Sequence, residues 1–195
     1  MSGILDILGS VLGNKQVNQM GNQVGLDSGT VGKLVAAALP LLISALAKNS
    51  SSPKGAEDLL GALTKDHDGS ILDDIGGLLG GTVNANGSGI LGHIFGNKQQ
   101  QIQQSLGAST GVDGAAVGQV LEMLAPVVMG ALGKQTASQG LNANDLAGML
   151  RGEAQTASQS APDALGSLIG MLDTDKNGSI IDNVAGIFGK LFKRS

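Results

Sequence analysis

The sequence contains no cysteine, tryptophan or tyrosine, and its only aromatic residues are three phenylalanines. Without cysteine, disulfide bonds, thiolate metal sites and cysteine nucleophiles are excluded. With only three aromatic rings, the protein offers little of the stacking surface on which single-stranded nucleic acids bind. The chain has 12 basic and 16 acidic residues, which gives a net charge of −4. We therefore expect no nucleic-acid partner.

A secretory signal and an uninterrupted membrane span are also missing. The first residues lack the basic start and cleavage pattern of a signal peptide. No unbroken apolar run reaches the ~18 residues expected of a spanning helix, and the longest, Leu34 to Ala47, contains Pro40 and Ser44. The sequence therefore predicts, by default, a cytoplasmic protein. Export by a route without a cleaved N-terminal signal is the alternative.

What the chain does contain is an internal duplication. At an offset of 86 residues, Asp27 and Pro40 correspond to Asp113 and Pro126. At an offset of 109, Pro53 corresponds to Pro162, and the Gly-Ser-Ile sequence starting at Gly69 recurs at Gly178. We therefore predict a first helical repeat over residues 1–83, a linker over 84–87, and a second repeat over 88–195.

The periodicity within each repeat is helical. Ile4, Leu8 and Leu12 follow the spacing of an amphipathic helix, and Asp27 can cap a longer helix that is apolar on most sides. Sustained β-branched alternation is absent. The sequence predicts an all-α protein, with two tandem related repeats packed as a helical bundle and Asp-rich loops at the helix corners.

The second repeat is longer than the first. The two offsets, 86 and 109, differ by 23 residues, which lie between Lys134 and Pro162. This stretch predicts an inserted helix near residues 144–154, lying on the surface with a loose polar tether behind it.

The sharpest chemical pattern is an Asp-rich loop in the second repeat. Alternating oxygen ligands in a tight loop suit calcium, and Gly178 stands where such a loop turns sharply. The candidate ligands are Asp173, Asp175, Asn177, Ser179 and Asp182. Because Val184 replaces the bidentate glutamate of an EF-hand, we expect weak binding, with dissociation constants of about 10⁻⁴–10⁻³ M.

The first repeat carries a poorer form of this loop. Thr64 replaces the first carboxylate, while Asp66, Asp68 and Asp73 remain as candidate ligands. The alternative for both loops is structural, because Asp-Gly and Asn-Gly sequences form ordinary turns and aspartate caps helices. Both interpretations stay open at this point.

Two further features suggest partners. Glycines recur beside apolar residues at 76–81 and 186–189, where close helix contact would favour self-association as a homo-oligomer or filament. The last residues, 187–194, combine apolar and basic side chains. They predict either a helix docked on the core or a membrane-surface helix.

The residues around Pro40 and Asp66 to Asp74, and their counterparts around Pro126 and Asp175 to Asn183, resemble a bacterial family of unknown function that is related to YidB-like proteins. Two tandem copies are identified. The resemblance implies a mainly helical domain and brings no catalytic residues.

Motifs for catalysis are missing: the sequence has no phosphate-binding Gly-Lys-Ser/Thr loop, no nucleophile elbow and no His-Glu-x-x-His. We therefore expect a non-enzymatic structural or interaction module with weak calcium binding. Self-assembly and membrane-surface association are the alternatives.

Overall fold

A computed structural model describes residues 3–80 and 85–160. All regular structure in these residues is helical, without a strand, which confirms the all-α prediction. The α-helices are α1 (Ile4–Val11), α2 (Asn14–Val24), α3 (Ser28–Asn49), α4 (Pro53–Lys65), α5 (Ile75–Leu79), α6 (Gly87–Phe95), α7 (Gln99–Thr110), α8 (Gly114–Gln139) and α9 (Ala143–Ser160). Short 3-10 helices occupy Ser70–Asp74 and Gly96–Lys98.

The two long helices begin at the predicted caps. The Asp27 carboxylate accepts a hydrogen bond from the Thr30 amide at 2.9 Å, and Asp113 accepts one from the Ala115 amide at 2.8 Å. Each bond satisfies one amide that the first helical turn leaves without a partner. Since the bonds to Thr30 stabilise the ionised carboxyl, they lower the pKa of Asp27.

The helices that precede these caps, α2 and α7, each end at a glycine. Gly25 terminates α2 with φ 71°, and Gly111 terminates α7 with φ 72°. This left-handed conformation suits glycine, because a Cβ would be strained there. Further along, Pro40 and Pro126 lie inside α3 and α8, and both helices continue past them.

The core forms around α3 and α8. Residues 41–46 of α3 and 124–133 of α8 are buried without interruption. By length and composition, these two described helices could each cross a membrane, and 61% and 72% of their most apolar windows are buried within the protein. The other helices supply that cover, since α1, α2, α4, α6 and α7 all pack on α8. One hydrophobic cluster contains residues from both halves of the chain.

The prediction of a surface insertion near residues 144–154 is wrong in one respect. A helix is present, α9, but Leu146, Leu150, Ala154 and Ala157 are all buried along it. Their spacing of three or four residues forms one apolar stripe, which packs against α3 and α4. The helix is therefore part of the core and connects the second half of the chain to the first.

A carboxylate of α9 also fixes the start of α1. Glu153 Oε1 accepts a hydrogen bond from the Ile4 amide at 3.1 Å, in a partly buried position. A negative group is favourable here because the first amides of a helix point outward without partners. Gly3 lies so close that a Cβ added to it would be 2.6 Å from the same oxygen.

We predict that Glu153→Ala lowers the free energy of unfolding by about 1–2 kcal/mol, because the Ile4 amide loses a charged acceptor. Glu153→Gln keeps an acceptor oxygen and should lose less. Chemical denaturation followed by circular dichroism measures both values. Equal losses in the two variants would show that the hydrogen bond contributes nothing.

Candidate functional site

The candidate site that the structure describes is loop one, defined here as residues 66–74, between α4 and α5. Asp66 ends α4, its amide donating to the Ala62 carbonyl at 3.0 Å. Gly69 turns the chain with φ 101°, a conformation that favours glycine. The 3-10 helix Ser70–Asp74 follows and leads into α5.

Two aspartates of loop one accept hydrogen bonds from nearby backbone amides. Asp68 Oδ1 accepts from the Ser70 amide at 3.0 Å, and Asp74 Oδ1 accepts from the Gly77 amide at 2.8 Å. The bond from the Ser70 amide stabilises the charged carboxyl and lowers the pKa of Asp68. These contacts are those of an Asx turn and a helix cap.

The structure does not bring the predicted ligands of loop one together at one point. Asp66, Asp68 and Asp73 are all exposed. Within residues 3–80 and 85–160, no three histidine, aspartate or glutamate side chains are grouped so that they could hold a metal ion. The predicted ligands of the second loop, Asp173, Asp175, Asn177, Ser179 and Asp182, lie outside the described residues.

Loop one instead lies directly on α8. A Cβ built at Gly133 would overlap the carbonyl oxygen of His67, and one built at Gly130 would overlap the Ile71 side chain. At Gly69 a Cβ would be 2.7 Å from Cβ of Lys134. Backbone and helix can approach this closely only because these positions have no side chain. The first half of the chain therefore contacts the second through a glycine-lined surface of α8.

His67 is half-buried by this docking. Burial lowers the pKa of its imidazole, and the neighbouring Asp66 carboxylate acts in the opposite direction. This burial arises because α8, which is distant in the sequence, lies over the loop.

The segment after loop one is held by amides of α2. Gln19 Nε2 donates to the Gly76 carbonyl at 2.7 Å, and Gln23 Nε2 donates to the Gly80 carbonyl at 3.1 Å. The Gly76 carbonyl also accepts from the Gly80 amide at 2.9 Å, so the bond from Gln19 is its second, whereas the Gly80 carbonyl lies just after the end of α5. The glycines at 76 and 80 are thus engaged with α2 of the same chain.

The structure adds a shallow polar depression that the sequence did not predict. It lies where α4 begins and α9 passes, and its lining includes Ser51, Ser52, Asn144 and Arg151. The Ser-Pro start of α4 could be predicted from the sequence, because proline is favoured in the first helical turn. Arg151 has no such local signal, since only the packing of α9 on α4 places it there.

The fold and loop one define an all-α module built on two long apolar helices. Residues 6–135 match the family described as bacterial protein of unknown function (DUF937). The chain therefore belongs to this family. This single match runs across residues 84–87, the predicted linker. No curated protein and no solved structure matches the chain.

We predict that Gly133→Ala lowers the free energy of unfolding by about 1–3 kcal/mol, because the new methyl group meets backbone that cannot rotate away. Gly130→Ala should cost less, since the Ile71 side chain that it meets can move. Gly148→Ala on α9 is the matched control, because nothing lies within 4 Å of its Cβ position. The control should be up to ~1 kcal/mol more stable than the natural protein.

Equilibrium denaturation in urea measures all three variants. If Gly133→Ala is as stable as Gly148→Ala, loop one does not lie on α8 in solution.

Proposed function

We propose that this protein is a non-enzymatic structural and interaction module, in which loop one joins the two halves of the chain. The observation that carries the proposal is the close approach of loop one to α8, where Gly133 faces the loop backbone at His67 and Gly130 faces the side chain of Ile71. A loop built to bind a ligand exposes its polar groups toward that ligand. Here the carboxylates of Asp68 and Asp74 accept hydrogen bonds from backbone amides of the module itself.

The hydrogen bonds around loop one support this role. The carboxylates of Asp68 and Asp74 accept from amides two or three residues ahead, and the amides of Gln19 and Gln23 bind backbone carbonyls. All four bonds lie at exposed positions, where they fix the conformation of the loop and of the segment after it. Asp68, a candidate ligand in the sequence, thus supports a corner of the fold.

We further propose that the chain arose from two related copies and is a relative of YidB-like proteins. Two glycines at an offset of 86 residues support the duplication. A Cβ at Gly21 would be 2.5 Å from the Leu26 carbonyl oxygen, and one at Gly107 would be 2.5 Å from that of Val112. The same close turn thus leads into both long helices.

Self-association through the glycine-rich segments was the alternative to this role. Gly76 and Gly80 bind the side chains of α2 through their carbonyl groups. That engagement favours the structural role over self-association for this segment.

Native-state hydrogen exchange at increasing urea concentration tests the joining role of loop one. We expect the most protected amides of α3 and α8 to exchange with one common opening free energy, because the halves share a core. In Gly133→Ala, the opening free energies of α3 and α8 should fall by the same amount, and the amides of residues 66–80 should exchange fastest. Separate opening energies for α3 and α8 in the natural protein would show two independent halves and overturn the proposal.

We also propose weak calcium binding at the second loop. Only the alternating oxygen ligands in its sequence support this proposal. Calcium at about 100 times its dissociation constant should add ~2.7 kcal/mol of stability, which raises the melting temperature by several degrees. Circular dichroism during heating measures this, because the chain has no tryptophan or tyrosine for fluorescence. Magnesium at the same concentration should have no such effect.

The double variant Asp173→Asn with Asp175→Asn should lose the calcium response. The matched pair Asp66→Asn with Asp68→Asn should keep it, since these carboxylates are not grouped with a third. If calcium does not raise the melting temperature of the natural protein, the second loop is an ordinary capped turn and not a calcium site.

A further inference from the structure

The chain has two histidines, and the structure gives them different surroundings. His67 lies in loop one and is half-buried, whereas His93 lies on α6 and is exposed. Histidine is the side chain whose charge ordinarily changes between about pH 5 and 8. Of the two, only His67 would therefore bring a new charge into the contact between loop one and α8.

The main chain around His67 is held by α8. The His67 carbonyl lies where a Cβ at Gly133 would be, and two residues later Gly69 lies against Lys134. These contacts fix the main chain at both ends of the turn. The half-burial of the imidazole is therefore a property of the loop while it lies on α8, and it is lost when the loop leaves the helix.

The covered imidazole has little to stabilise a positive charge. Among residues 3–80 and 85–160, its ring forms no hydrogen bond. Burial lowers the pKa of His67, and the Asp66 carboxylate, which acts in the opposite direction, does not offset this effect. The loop in contact with α8 thus favours the neutral ring.

The elements packed on the loop offer the ring no further carboxylate. Helix α5 contains no titratable residue, and α8 brings Lys134 to the loop. The acidic residue of α8, Glu122, lies 11 positions before Gly133, about 16 Å away along the helix axis. The other charged side chains around this corner belong to the chain on either side of His67, and they are Lys65, Asp66, Asp68, Asp73 and Asp74.

Proton binding and loop contact are linked as a result. Because contact with α8 lowers the pKa of His67, the released loop binds the proton more tightly than the bound loop does. The contribution of the neutral ring is complete above the ordinary histidine pKa of about 6.5. It is lost as the pH falls from there through the lower pKa of the bound loop, by at most about tenfold in the equilibrium constant per pH unit.

We propose that loop one forms a pH-sensitive contact, which holds α8 while the His67 imidazole is neutral and weakens when the imidazole takes up a proton. This inference rests on the joining role proposed for loop one and is independent of calcium. Mild acid then loosens the two halves of the chain at this corner. The hydrophobic cluster of the described helices contains no histidine and gains no charge.

An NMR titration from about pH 8 to about pH 5 tests the pH-sensitive contact. The imidazole signals of His67 report its protonation, and the amide signals of Gly130 and Gly133 report the contact. We expect all three to change with one midpoint, below the ordinary histidine value. In Gly133→Ala, which displaces the loop, the midpoint of His67 should rise toward that value, because proton binding and contact influence each other equally.

Two histidine variants separate this effect from other titrating groups. His67→Gln has no titratable ring and retains the backbone contact with Gly133. Its urea midpoint should therefore fall less between about pH 7.5 and 5.5 than that of the natural protein. His93→Gln is the matched control, since its side chain is exposed, and it should lose as much as the natural protein. If His67→Gln does not fold, the titration midpoints of the natural protein and of Gly133→Ala decide.

Three results overturn the pH-sensitive contact: glycine signals that do not follow His67, an unchanged His67 midpoint in Gly133→Ala, or an equal loss in His67→Gln and the natural protein. If Gly133→Ala is still less stable than Gly148→Ala at about pH 7.5, the joining role of loop one stands. If these two glycine variants are equally stable, loop one does not lie on α8, and both proposals are wrong.

Discussion

Gly133 of α8 allows the backbone of loop one to lie directly on that helix, and Gly130 leaves room for the Ile71 side chain. The carbonyl of His67 occupies the space that any side chain at position 133 would need. This contact also fixes the directions in which the chain enters and leaves the loop, and so the positions of α4 before it and α5 after it. Since α5 then meets α2, one close approach on α8 positions three other helices.

The helices could be predicted from the sequence because their signals are local. The Asp27 cap, the Ser-Pro start of α4 and the spacing of Ile4 and Leu8 each operate within one or two turns. The contact of loop one could not be predicted in this way. Gly130 and Gly133 lie within a long apolar stretch, where they look like ordinary parts of a buried helix, and their partner is some 60 residues away.

The aspartates of loop one illustrate the same limit. A carboxylate at alternate positions can point inward to an ion or back to its own chain, and the residue type is identical in both cases. The choice depends on where the loop is anchored. Once His67 and Ile71 lie on α8, Asp68 is left to bind the Ser70 amide.

The burial of α9 departs from the sequence prediction for a different reason. The offsets of 86 and 109 leave 23 residues without a counterpart, which favours a surface insertion. At an offset of 87, however, Asp145-Leu146-x-Gly148-x-Leu150 matches Asp58-Leu59-x-Gly61-x-Leu63 of α4. Both helices bury their last leucine completely, and they pack on each other. A helix with an apolar stripe must bury that stripe against another helix, and α3 provides the surface for α9.

The bond between Glu153 and Ile4 joins residues 149 positions apart. Synthesis proceeds at about 5–20 residues per second, so the start of α1 waits about 7–30 s before its acceptor exists. During that time α1 can already pack on α8, which precedes Glu153 in the sequence, but the Ile4 amide has no charged acceptor. The start of α1 is therefore fixed only after α9 has been made, later than every other helix that the structure describes.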